Sequence, residues 1–141
     1  MTSMAGQLTS APLARAFALA GDARLTLVSM KTGTRFTYRV TKGKTDDAPH
    51  FVAILNGREN TRDYQFIGTI FADGTYRHGR KSRVTPDAPS AKGFAWVWAH
   101  LARGEIGVEI WHEGRCGRCG RPLTVPESIA SGIGPVCAVM S

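Results

Sequence analysis

The chain has 141 residues, with 18 Lys+Arg against 11 Asp+Glu and a formal net charge of +7. That length is one domain's worth and buries a real core, which excludes a disordered tail or a core-less mini-protein. No run approaches the ~18 apolar residues of a membrane span, so no membrane partner is expected, and the positive balance favours acidic partners such as nucleic acid without bearing on the fold.

In chain order, residues 11–21 read APLARAFALAG. A secretory signal needs a basic region ahead of its apolar stretch, whereas the first basic residue here, Arg15, interrupts that stretch. The segment reads instead as a short amphipathic helix. Ser10 caps it, Pro12 sits in its first turn, Leu13, Ala16, Phe17 and Ala20 share a face, and Gly21 stops it. A frayed terminal arm is the alternative.

The pattern then turns β-like. Arg24–Met30 is a first run. Thr34–Lys42 alternates, with Phe36, Tyr38 and Val40 on one face and Arg35, Thr37, Arg39 and Thr41 on the other. Lys31-Thr32-Gly33 between them is hairpin-like. Phe51–Leu55 is nearly continuous apolar sequence, so it reads as a strand covered on both faces. Asp63–Phe71 is a further strand, Asp73-Gly74 a hairpin turn, and Thr75–His78 the returning strand. Ala91 to Arg103 is an amphipathic helix with Phe94, Val97, Trp98 and Leu101 in its stripe, capped by Ser90 or Asp87 and ended by Gly104. Glu105–His112 is a last strand with Ile106, Val108 and Ile110 on one face. Trp96, Trp98 and most phenylalanines are expected in the core.

These elements predict an α+β fold: a small antiparallel β-sheet or open barrel with one packed helix, plus a C-terminal treble-clef-like zinc finger. Three parts are expected: residues 1–21 as an arm or short helix, 22–104 as a basic α+β body, and 105–141 as a zinc-binding segment.

The zinc reading rests on the cysteines. There are three, Cys116, Cys119 and Cys137, an odd and clustered set that suits a metal site in a reducing compartment better than a disulfide framework. A cytoplasmic location, bacterial or in an infected host cell, is the expectation. Cys116-x-x-Cys119 puts two thiolates on one turn, and Gly117 and Gly120 let backbone N–H groups approach the sulfurs. Gly134-Pro135 reads as a helix start with Cys137 in its first turn, where free N–H groups favour a thiolate. Structural zinc takes four ligands. His112 is the first choice for the fourth, against its reading as a half-buried core histidine. His100, His78 and Glu113 are the other candidates.

The tail resembles a domain-of-unknown-function family associated with bacteriophages and actinobacteria. The resemblance lies in Cys116-Gly-Arg-Cys119-Gly-Arg-Pro-Leu123-Thr, Pro126-Glu-Ser128-Ile129 and Gly132-Ile-Gly134-Pro135-Val-Cys137. It implies zinc binding and a phage or prophage setting, and no reaction.

Charge is unevenly spread. Lys31, Arg35, Arg39, Lys42 and Lys44 fall in one acid-free stretch, and Arg77, Arg80, Lys81 and Arg83 in another. Residues 105–141 are near neutral, with Arg115, Arg118 and Arg121 against Glu105, Glu109, Glu113 and Glu127. The expected footprint for DNA or RNA is therefore the β body, with the finger as a staple. The bland reading of the same side chains is a solubilising surface. The competing functional reading is a protein–protein module docking on an acidic host protein. No Ser-His-Asp, paired-carboxylate, phosphate-loop or dinucleotide pattern suggests an enzyme, and the deaminase spacing of His-x-Glu ahead of Pro-Cys-x-x-Cys is missing.

Overall fold

The computed structural model describes residues 6–29, 32–45, 47–56, 63–113 and 116–117. In chain order these form β1 (Gly6–Gln7), α1 (Ala11–Ala18), β2 (Asp22–Val28), β3 (Arg35–Lys42), β4 (His50–Leu55), β5 (Tyr64–Ile70), β6 (Tyr76–His78), α2 (Pro89–Ala102) and β7 (Glu109–His112). The strands make one sheet in the order β1-β7-β2-β3-β4-β5-β6, and every neighbouring pair is antiparallel. The architecture is α+β, as expected. Among the described residues no helix is long and apolar enough to cross a membrane.

Strand alternation sorts the side chains. Leu25, Leu27, Tyr38, Val40, Val52, Ile54 and Ile110 form one buried cluster with Ala14 and Phe17 of α1 and Phe94, Val97, Trp98 and Leu101 of α2. Both helices therefore cover the same face. The Tyr38 hydroxyl donates to the Ser90 carbonyl and ties the start of α2 to the sheet centre. Burial pushes the Tyr38 phenol well above its ordinary pKa. At the other end of α2, Trp98 Nε1 donates to the Gly74 carbonyl at 2.9 Å, and the Arg15 guanidinium lies 5.4 Å from the Trp98 ring centroid. The β5–β6 turn and both helices thus share one joint.

The structure corrects several expectations. Two helices pack on the sheet, since 11–18 is helical and its N-cap is Ser10, whose side chain accepts from Leu13 N–H. Its buried face is Ala11, Ala14, Phe17 and Ala18, while Leu13 faces out. Small alanines let α1 lie close to β2, which a Leu13 face would prevent. The stripe of α2 is as expected, but its N-cap is Ala88, whose methyl side chain has no acceptor to offer, and Pro89 at the first helical position removes one of the unpaired N–H groups. The last strand starts only at Glu109. Residue 107 passes under α2, where a Cβ on Gly107 would lie 2.4 Å from Trp96 Cη2, so this stretch packs against the helix instead of pairing. Trp96, expected inside, is 49% exposed. Phe51, expected to be covered, is 42% exposed, because Val52 and Ile54 take the helix-covered face.

Candidate metal centre and basic aromatic face

The start of the cysteine segment is clamped to the body. β7 lies between β1 and β2, with His112 opposite Gly6 and Leu25. His112 is fully buried, and its ring centroid is 5.7 Å from that of Phe17. Cys116 is also buried. At Gly117 the carbonyl accepts from Asp22 N–H at 2.8 Å. A Cβ on Gly117 would lie 2.7 and 2.8 Å from Phe17 ring atoms, so this position requires glycine.

His112 and Cys116 thus belong to one buried corner under α1, and an imidazole and a thiol are the donor types zinc prefers. Cys119 and Cys137, with the anticipated helix start at Gly134-Pro135, lie outside the described residues. Among the described residues no three His, Cys, Asp or Glu side chains gather as a metal cage. The other candidate histidines are engaged elsewhere. The His78 Nε2 meets the Val84 carbonyl at 2.8 Å, on β6 at the opposite edge of the sheet. His100 Nδ1 meets the Trp96 carbonyl at 2.8 Å on α2. Glu113 lies near Tyr64 on the other face.

Among the described residues that other face carries no helix, and its rows follow from the register. One row runs Thr26, Thr37, Leu55, Tyr64; the next runs Arg24, Arg39, Ala53, Phe66; a third runs Asp22, Thr41, Phe51, Thr69, Arg77. Thr26 and Thr37 are buried and share a 2.9 Å hydrogen bond. Arg24 on β2 hydrogen-bonds Tyr64 on β5. The two side chains meet across β3 and β4, so the sheet curls towards this side. Burial, and then Glu113, push the Tyr64 phenol up to about 12, partly offset by Arg24 and Arg39. Arg39 Nε pairs with Asp22 Oδ1 at 3.0 Å, so it is not the free solvent-facing cation its alternation suggests.

Towards β5 and β6 the face becomes aromatic and basic. Phe66, 36% exposed, sits with its ring centroid 6.5 Å from that of Phe51, edge-on. Phe66 rests on Gly79, where a Cβ would come within 2.3 Å of the ring. Gly79 N–H donates to the Ile67 carbonyl at 2.8 Å, and Ser82 Oγ donates to the Phe66 carbonyl at 2.7 Å. These bonds pin the turn after β6 to β5 and place Lys81 and Arg83 beside Tyr64 and Phe66, around a shallow cleft of about 270 Å³. Arg77 and Arg80 are exposed next to it.

The structure therefore brings Arg39, Arg77, Lys81 and Arg83 to one side of the sheet. Arg35 is exposed further along β3, opposite Val28 near the β2–β3 turn. Lys42 and Lys44 are exposed at the far end of β3, and Lys31 lies outside the described residues. Sequence reasoning missed Phe51, Phe66, Tyr64 and Arg24. Parity with Val52 and Ile54 could have flagged Phe51. Phe66 is hidden by a β-bulge opposite Val52/Ala53, which breaks the alternation of β5.

Residues 111–139 match a family of unknown function, DUF6011. The match begins at Trp111, inside β7, so the matched segment starts within the sheet of the body. No curated protein and no solved structure matches the chain.

Proposed function

We propose that this is a small, non-catalytic protein that binds nucleic acid through the face of its sheet opposite α1 and α2, with the C-terminal segment held by one zinc ion as a structural staple. The observation that carries the reading is convergence. Arg77, Lys81 and Arg83 gather around β6 beside the exposed rings of this face, and Arg39 on β3, paired with Asp22, shares the row of Phe66. Their fields add where a phosphate backbone would lie. Zinc would be held by Cys116, Cys119, Cys137 and His112, supplying a cross-link between β7 and the tail. A phage or prophage setting rests on the resemblance of the tail alone.

Two measurements test this. Binding to DNA and RNA is followed against salt; wild type should show a steep log–log slope. Lys81→Glu with Arg83→Glu should reduce it by about two units, one per lost phosphate contact. Arg118→Glu with Arg121→Glu should change it less, since those arginines belong to a near-neutral segment. Native mass spectrometry should find one zinc per chain, lost on Cys116→Ser and weakened on His112→Ala. A metal-free native protein defeats the staple. Wild type binding neither nucleic acid at low salt defeats the nucleic-acid reading, and the same face is then assayed against an acidic protein.

A further inference from the structure

We infer that Phe51 and Phe66 form a base-stacking platform, so that the ligand of this face is a single strand with unpaired bases rather than a duplex. The inference rests on the nucleic-acid reading and deepens it. Its observations are separate from charge. Two large aromatic side chains lie side by side on the sheet face opposite α1 and α2, at 42% and 36% exposure. The sequence contains enough aliphatic residues to bury its core without them, and burial is the ordinary fate of phenylalanine. Each keeps ring surface open to solvent, although this costs hydrophobic stabilisation.

The surroundings match what an unpaired nucleotide needs. The cleft of about 270 Å³ beside Phe66 is lined by Tyr64, Gln65, Phe66, Lys81 and Arg83. It offers an exposed phenylalanine ring for a base and two cations for the phosphates on either side. Gly79 sets the platform: with no Cβ there, the Phe66 ring packs closely against the turn that carries Lys81. Phe51 is the next surface along the face, its ring edge-on to Phe66, and Arg77 shares its row. A strand running from Phe66 to Phe51 would therefore meet cations along its path. A base pair inside a duplex has both faces stacked and offers none to a phenylalanine, whereas an unpaired base does. Stacking of this kind tolerates any base, so no sequence preference is expected from it.

The test uses fluorescently labelled single strands of dT and rU, the same dT strand with abasic sites, and a duplex of equal length. Fluorescence anisotropy is read for the full-length zinc-loaded protein. Phe51→Leu and Phe66→Leu keep an apolar side chain at each position, and circular dichroism checks folding. Phe51→Leu is the safer variant, because Phe66 also supports Gly79. Each change should weaken single-strand binding by roughly tenfold, within the 5- to 150-fold range of one lost stacking contact. The salt slope should stay the same, since no phosphate contact is lost. The abasic strand should bind wild type as weakly as the normal strand binds the variants. Comparison of dT with rU tells whether the sugar matters. Equal affinity of duplex and single strand, or Leu variants that bind like wild type while Lys81→Glu with Arg83→Glu does not, overturns the platform and leaves the nucleic-acid reading standing. Absence of any wild-type binding overturns both.

Discussion

The two faces of the sheet are built on opposite terms. The helix-covered face is closed and apolar, and along β7 it also holds His112 and the first residues of the cysteine segment. The other face is curled, carries arginines, hydroxyls and tyrosine, and leaves two phenylalanines open. Substitutions on the first should cost stability and metal together. Substitutions on the second should cost binding and leave the fold intact. One residue belongs to both: Asp22 gives its backbone N–H to Gly117 and its carboxylate to Arg39.

The largest expected effect lies at the junction of α1 with the tail. Phe17 is fully buried against His112 and Gly117. Phe17→Ala should destabilise the protein by about 3–5 kcal/mol in urea denaturation, and native mass spectrometry should show weaker zinc retention. Retention unchanged in a folded Phe17→Ala protein would separate the staple from the body and break the comparison.

Gly117→Ala comes next, at about 1–3 kcal/mol, because the added methyl forces the Phe17 ring to move. It alters no ligand, so a matching fall in zinc affinity would show that packing, and not donor chemistry alone, holds the segment in place.

Asp22→Asn isolates the second face. It keeps the backbone bond to Gly117 and removes the negative charge 3.0 Å from Arg39 Nε. Nucleic-acid affinity should rise a few-fold at low salt, and the gain should vanish as salt screens it. The ion pair is about one-third exposed on each side, so its loss should change stability little. A fall in affinity would mean that Asp22 positions Arg39 for the phosphate.

The smallest effect is a pH dependence. His50 has its pKa lowered by burial in the first place and by Lys42, against an opposing bond to the Leu19 carbonyl. The unfolded chain therefore takes up this proton at higher pH than the folded one. The contribution to stability is present above the unfolded value of about 6.5 and is lost as pH falls through the folded value. His50→Gln should flatten the decline in melting temperature just below that pH; an unchanged profile would remove His50 from the account.

Much of the local structure was legible in the sequence. Alternation in 34–42 and the stripe of 91–103 arise from side-chain periodicity within one element, which neighbouring residues decide between themselves. The Ser10 cap and the Asp73-Gly74 turn are local in the same sense. The site was legible only in its parts. Cys116 and His112 could be chosen by type and spacing, and the basic stretches by counting charge. Where these parts meet was not legible.

The sequence by itself determined which side chains share a face in β3 and α2, where the helices begin and end to within a few residues, and where positive charge concentrates. Only the tertiary structure decided which face is covered, because that depends on α1 and α2 folding back over the same side of a sheet assembled from distant strands. That choice buries Val52 and Ile54 and leaves Phe51 open, within one apolar run that reads as uniform. It also sets β7 between β1 and β2, which no local pattern encodes, since strand order is chosen by the shared burial of residues some ninety positions apart, such as Leu25 and His112.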